Sequence, residues 1–405
     1  MKNAAIICEY NPLHKGHVYH INHTREYTNC HGIVCLMSGN FMQRGIPALM
    51  DKWKRAEIAI KSGADLVIEL PSIFSVSSAE FFAKGAIDIL DSMGVVDYVS
   101  FGSESGDIAL IEKLAIILSE EPMEYKESLK TYLNRGIPFA KARAESLKDY
   151  ISLKDSSLAS SSKLTSLLQS SNNILALEYC KALYKNNSKI KPITLTRMGD
   201  NYNETTLTSN FASATAIRNA LRSKDIYSIK DYVPESTFQE LIKLNGNNYK
   251  FIFEDSMFPY LKYKLMLNRD LHKLPDVSEG LDNRIYSAIS NSKSIQELIL
   301  KSKTKRYTYT RINRILCQYF LGFEEYDIKS LRKSEPSYVR ILAFNHRGRE
   351  IIKDIKNTSS MEIVNKMPKK ISDMLELDIK TTKAYSILNA NIDPSEDFLK
   401  SPKYV

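Results

Sequence analysis

Two histidines, His14 and His17, flank Lys15 and Gly16 immediately after an apolar run that spans Asn3 to Glu9. A short polar turn separates that run from an amphipathic stretch beginning near Gly16, so the pair stands where a strand hands over to a helix. A helix start carries unpaired backbone N–H groups and a partial positive charge, which together attract phosphate. A glycine there lets a phosphate approach the backbone, and two histidines on the same turn can donate hydrogen bonds to charge that builds on an α-phosphate and a leaving pyrophosphate. The plainer alternative is that one histidine caps the helix while the other packs in the core. Two histidines around a glycine at a strand-to-helix turn favour the phosphate reading.

A second segment, Phe211-Ala212-Ser213-Ala214-Thr215-Ala216-Ile217-Arg218, reads as the start of a later helix capped by Ser213. Lys52, Arg55 and Arg44 are candidates to neutralise crowded anions or to meet RNA phosphates, and solvated helix charges are the alternative. Between Lys301 and Arg314 lie Lys301, Lys303, Lys305, Arg306, Arg311 and Arg314 with no acidic residue, interleaved by Tyr307 and Tyr309. Such a run can replace counterions on an RNA backbone while aromatic rings stack on an unpaired base. The same stretch also has the apolar spacing of a charged-faced structural helix.

The elements that hold these residues repeat in a strand-then-helix cycle. Residues 3–9, 32–39, 64–71, 95–104 and 193–199 read as buried strands, and 51–63, 79–94 and 213–225 as helices. Continuous apolar strands between helices predict an α/β fold whose parallel, doubly wound sheet is covered on both faces. Ligands then bind beyond the carboxyl ends of the strands. Residues 120–177 read as helical with a serine-rich loop at Ser156 to Ser162. A catalytic domain is expected over 1–230, followed by a second, mainly α-helical and basic domain over 231–405.

The chain has 405 residues, 43% hydrophobic and 25% charged, which suits a globular protein and argues against extended disorder. Its net charge is +9. Residues 231–405 hold 29 Lys and Arg against 23 Asp and Glu, or +6, which leaves +3 for the rest. The excess permits a polyanionic partner. The five cysteines form no CxxC pair, and Cys30, His31 and Cys35 lack a second pair of ligands, so neither a disulfide framework nor a metal site is expected. The opening apolar run is too short for a signal peptide and no later run reaches about 18 apolar residues, so no membrane span and a cytoplasmic location are expected.

The histidine motif after the first strand is similar to the HxGH signature of the nucleotidylyltransferase superfamily, and the segment around Ser213 resembles its ISxTxIR element, in which Phe211 and Ala212 depart from the usual opening. That resemblance implies phosphate contact for Ser213, Thr215 and Arg218, an ordinary capped helix being the alternative. More closely, residues 9–20 (EYNPLHKGHVYH), 36–71, 101–107 (FGSESGD), 172–179 (NNILALEY) and 305–316 (KRYTYTRINRIL) resemble the bacterial tRNA(Met) cytidine acetate ligase family over nearly the whole chain. That resemblance implies a HUP-type fold and a two-step reaction. Acetate and ATP give acetyl-adenylate and pyrophosphate, and the acetyl group then moves to N4 of the wobble cytidine of elongator tRNA(Met), with no acetyl-CoA.

It also implies an ATP site formed by Ile7, Cys8, Glu9, Tyr10, Asn11, Pro12, Leu13, His14, Lys15, Gly16, His17, Val18, Tyr19 and His20, completed by Gly102, Asn172, Arg197 and Met198. Ser171 replaces a proline expected before the asparagine, which leaves Asn172 and Asn173 as alternatives. His14, His17, Lys52 and Arg55 are the expected catalytic groups, and Lys305, Arg306, Arg311 and Arg314 the expected RNA contacts. Mg²⁺ is expected to accompany ATP, held by phosphate oxygens and water rather than by a carboxylate cage. Because AMP is a good leaving group, neither Cys8 nor Cys35 is needed as an acyl carrier. An enzyme that adenylylates a small metabolite and a non-catalytic nucleotide or RNA binder are the competing functions.

Overall fold

The computed structural model describes residues 1–154, 162–196, 212–223 and 225–405. Its centre is a sheet whose first strands follow from their composition. Strands β1 (Asn3–Cys8), β2 (Gly32–Ser38) and β3 (Leu66–Leu70) are almost wholly buried runs rich in branched side chains. Residues buried on both faces cannot alternate with polar ones, so such runs belong in the middle of a layered sheet. Each fully buried Ile, Val or Leu among them contributes about 1.5–3 kcal/mol of burial free energy. Strands β4 (Tyr98–Ser103) and β5 (Lys191–Thr196) extend the sheet on the other side of β1.

The order is β5-β4-β1-β2-β3, all parallel. The chain winds one way from β1 through β3 and the other way from β4 to β5. The direction therefore reverses between β1 and β4, which is where a crevice opens in doubly wound sheets. Helices α1 (Lys15–Thr28), α2 (Lys52–Lys61), α3 (Ser72–Ser75) and α4 (Ala79–Met93) come from the first crossovers. Between β4 and β5 run α5 (Ile108–Glu120), α6 (Met123–Asn134), α7 (Phe139–Lys154), α8 (Ser162–Gln169) and α9 (Ser171–Lys185). Helix α10 (Ala214–Arg222) begins where expected, with the Ser213 hydroxyl accepting from the Ala216 N–H at 3.1 Å. The serine-rich loop expected from Ser156 lies almost wholly outside the described residues.

Beyond residue 230 the chain is helical as far as Lys333, with α11 (Glu235–Gly246), α12 (Phe258–Leu267), α13 (Leu281–Ile289), α14 (Ile295–Ser302), α15 (Tyr309–Phe320) and α16 (Ile328–Lys333). After that it returns to the first sheet. Strand β6 (Tyr338–Phe344) pairs antiparallel with β3, and β7 (Glu362–Val364) and β8 (Lys403–Tyr404) pair with β6. Helices α17 (His346–Thr358), α18 (Asp373–Leu388) and α19 (Glu396–Leu399) accompany them. Covering β3 satisfies a row of backbone groups that would otherwise form an open edge. The sheet thus spans both parts of the expected 1–230 and 231–405 division.

Candidate active site

A cavity of about 1000 Å³ opens where the strand order reverses, lined by residues from the ends of β1, β4 and β5 and from the starts of α1, α9 and α10. Three helix N-termini therefore face one space, each with backbone N–H groups and partial positive charge, an arrangement suited to a polyphosphate. The turn after β1 is tight. Tyr10 takes a left-handed backbone (φ 45) and the Asn11–Pro12 peptide is cis. The Tyr10 ring is buried, its hydroxyl 3.4 Å from Cys35 Sγ and its edge against the His17 ring at 4.9 Å.

His14 and His17 stack with ring centroids 3.7 Å apart. The His14 backbone N–H donates to His17 Nδ1 at 3.2 Å, so the neutral His17 ring carries its proton on Nε2 and presents a donor there. His20 Nε2 is 2.8 Å from the Ser100 hydroxyl, which also meets Thr24. Both histidines line the cavity, as do Ile7, Cys8, Glu9, Tyr10, Gly16, Tyr19, His20, Gly102 and Asn172.

The remaining residues of the 7–20 segment shape the turn instead. The Asn11 side chain accepts from the Leu49 N–H at 2.8 Å, Leu13 is buried core, the Lys15 N–H donates to the Tyr232 carbonyl, and Val18 packs against the core. Arg197, Met198 and Phe211 lie outside the described residues. The two asparagines divide their work. Asn172, at the cavity wall, donates to Glu104 Oε1 at 2.8 Å, while the buried Asn173 accepts from the Glu104 and Ser105 N–H groups at 2.9 and 3.2 Å. Glu104 in turn receives the Asn173 N–H at 3.0 Å, so it caps α9 and ties the β4 loop to it.

Two expected catalytic residues are placed elsewhere. Lys52 is sealed beneath the sheet, its Nζ 2.8 Å from both Glu69 oxygens and 3.0 Å from Asp397 Oδ1, with Arg340 completing the cluster at 3.5 and 3.0 Å from those same two residues. A buried ammonium with two carboxylates has its charge already balanced. Arg55 is also buried and donates to the carbonyls of Met50, Glu9, Ser38 and Gly39, stitching the ends of β1 and β2 together. Arg218, expected on phosphate, instead pairs with Glu254 at 2.6 Å and donates to the Pro47 carbonyl.

Arg44 is the candidate cation that does line the cavity, 3.5 Å from the Ser171 hydroxyl. It sits in the loop after β2 beside Gln43, whose N–H donates to Glu9 Oε1 at 2.7 Å. Burial raises the Glu9 carboxyl above its usual range, opposed by the Gln43 hydrogen bond and by the charges of Arg44, Arg55 and Arg218. Gln43, Phe82, Phe101 and Tyr179 also line the space, although sequence reasoning did not single them out. Phe82 and Tyr179 sit on amphipathic helices, where an aromatic residue reads as core.

The basic stretch reaches the same cavity through Thr310, near the start of α15. The Asn313 side chain grips the Arg44 and Gly45 carbonyls at 2.8 and 3.2 Å. Gly45 has φ 78, and a Cβ there would lie 2.7 Å from the Arg314 backbone, so loop and helix are interlocked. Arg314 is half-buried. Burial lowers its pKa to about 10, helped by Arg332, Arg311 and Arg44 against Asp276, and it still carries its charge at neutral pH. Arg311 stacks on Tyr307 at 4.6 Å, Arg306 pairs with Glu279 at 2.8 Å, and Lys305 is exposed. Tyr307 is buried with its hydroxyl on the Ser278 carbonyl, whereas Tyr309 is 40% exposed.

The sequence pattern of the HIGH Nucleotidyl Transferase family matches residues 1–397. A tRNA(Met) cytidine acetate ligase of Clostridium novyi is 52% identical over the full length of both chains, and one of Clostridium botulinum (strain Okra) is 49% identical over 100% of this chain and 99% of its own. The chain belongs to the tRNA(Met) cytidine acetate ligase family. A crystal structure of Thermotoga maritima TmcAL without ligand superposes with a TM-score of 0.92 at 34% identity, and one of the same protein bound with alpha-thio ATP with 0.91 at 33%, each covering both chains completely. Membership in this ligase family accounts for a nucleotide-sized cavity that shares a wall with a basic helix. Among the described residues no helix is long and apolar enough to cross a membrane.

Proposed function

We propose that this chain is an ATP-dependent ligase that activates acetate as acetyl-adenylate and passes the acetyl group to N4 of the wobble cytidine of elongator tRNA(Met). The observation that carries the reading is a cavity at three helix N-termini, with a stacked histidine pair, that also borders the basic helix α15. In the first step the helix starts and His14 and His17 hold the triphosphate. Arg44 draws the acetate carboxylate toward the α-phosphorus, and pyrophosphate leaves with the charge that the histidines stabilise. Positioning and fixed positive groups suffice, because a carboxylate needs no deprotonation at neutral pH.

Mg²⁺ accompanies the triphosphate in this reading through phosphate oxygens and water, which screens the anions. In the second step Lys305, Arg306, Arg311 and Arg314 meet the RNA backbone, and the target base swings out of its stack to reach the adenylate. Acetyl-CoA has no part in this scheme, and the reaction belongs in the cytoplasm with its tRNA substrate.

The deciding experiment is acetate-dependent exchange of labelled pyrophosphate into ATP without tRNA. The wild type exchanges only when acetate is present, and His17→Ala loses on the order of 10²-fold or more. Exchange without acetate, or none at all with acetate and tRNA both added, rejects the reading.

A further inference from the structure

The cavity gathers positive ends for anions, and two carboxylates, Glu9 and Glu104, stand among them. Glu104 is engaged by Asn172 and Asn173 at the start of α9, which leaves Glu9 to be explained. Its position is fixed from two sides. Arg55 donates to the Glu9 carbonyl at 2.7 Å, and the Gln43 N–H holds Oε1 at 2.7 Å. Among the described residues its other oxygen, Oε2, has no hydrogen-bond partner. A carboxylate beside a triphosphate opposes nucleotide binding, so its presence there calls for a task outside phosphate recognition.

Its surroundings indicate the task. The loop whose Gln43 N–H holds Glu9 is the loop clasped by Asn313 of α15, so Glu9 is tied to the basic helix through one short loop. The histidines are committed to the phosphate side in the reading above. Cytosine N4 is a poor nucleophile, because its lone pair is delocalised into the ring, and it becomes acidic only as it bonds to the acyl carbon. A base with a protected, oriented oxygen is what that moment requires.

We propose that Glu9 is the catalytic base of acetyl transfer, accepting the N4 proton on Oε2 as that nitrogen attacks the acetyl carbonyl carbon. The N4–C bond forms, the acyl C–O bond to phosphate breaks, and AMP departs with that electron pair. The proton on Glu9 then passes to solvent. The proposal rests on the ligase reading. Burial raises the Glu9 carboxyl above its usual range, against the Gln43 hydrogen bond and the charges of Arg44, Arg55 and Arg218, and Cys8, Tyr10, Tyr179, His14 and His17 share the walls.

The test separates the half-reactions. Synthetic acetyl-adenylate is mixed with enzyme and elongator tRNA(Met) in single turnover, and acetate-dependent pyrophosphate exchange is measured on the same preparations. Glu9→Gln should depress transfer by on the order of 10² to 10⁴ more than it depresses exchange. Its residual rate should lose the acidic limb seen in the wild-type pH profile, and Glu9→Asp should recover part of the rate. Equal loss of exchange and transfer would assign Glu9 to ATP and overturn the proposal, as would transfer at the wild-type rate. A wild type that cannot transfer from acetyl-adenylate removes the ligase reading itself, and the base with it.

Discussion

Two groups of charge, one on β3, β6 and α2 and one in the loops after β1 and β2, are finished differently. Around Lys52 the charges close on each other: two cations and two carboxylates, Lys52, Arg340, Glu69 and Asp397, are at most 2% exposed at the side chain. Around Glu9 and Arg44 they line a cavity, where among the described residues one Glu9 oxygen has no hydrogen-bond partner. A sealed cluster answers to stability and an open one to chemistry. Arg44 and Lys52 come from one stretch of chain and serve different groups, so proximity to a motif does not say which side a charge serves.

The comparison can be broken hardest at the sealed cluster. Lys52→Met leaves Glu69 and Asp397 with Arg340 alone, and removing one partner of a buried pair costs about 3–5 kcal/mol. Denaturant unfolding should show that loss, and pyrophosphate exchange should fall with the folded fraction. Arg44→Ala should do the reverse, lowering exchange by on the order of 10²-fold while the unfolding midpoint stays close to wild type. Full stability in the first variant, or an unfolding defect in the second equal to the first, would merge the two regions.

Acid sharpens the contrast further. Against burial, Lys52 and Arg340 hold the Asp397 carboxyl below its ordinary range, so the stability it supplies is present above the unfolded value and lost as pH falls through the folded one. Asp378 runs the other way. Burial, then the charge of Glu69, raises it to about 7, so its stabilising protonated form is lost as pH climbs from about 4 through 7. Asp378→Asn should therefore gain on the wild type in unfolding free energy as pH rises from 5 to 8, and a difference that stays flat would deny the shift. The smallest effect belongs to the rim. Arg306, exposed and paired with Glu279, should leave the unfolding midpoint close to wild type when changed to alanine and lower the salt slope of tRNA binding by about one.

The parallel sheet was legible because doubly buried strands must be continuously apolar, and the helix starts at Lys15 and Ala214 followed from turn and capping chemistry. Strand β6 was not legible, because Tyr338 to Phe344 carries Arg340 in its middle and gains its place only from the distant edge of β3. At the site, the histidine pair could be read from spacing alone. The fates of Lys52 and Arg55 could not, because Asp397 and Arg340 lie hundreds of residues from Lys52, and because the carbonyls that Arg55 collects belong to the backbone of loops. Tyr179 and Phe82 escaped notice because an aromatic side chain on a helix face reads the same whether it meets core or cavity.

The return of β6 to β3 also bears on the order in which the molecule is made. Glu69 and Lys52 leave the ribosome early, whereas Arg340 and Asp397 follow after most of the helical region. At about 5–20 residues per second, the interval between Glu69 and Arg340 is roughly a quarter of a minute to just under a minute. Throughout it the nascent sheet presents the edge of β3 unpaired and a glutamate with half of its eventual counter-charge. The first half of the chain thus emerges as a partner in waiting, and its maturation is timed by translation of the second.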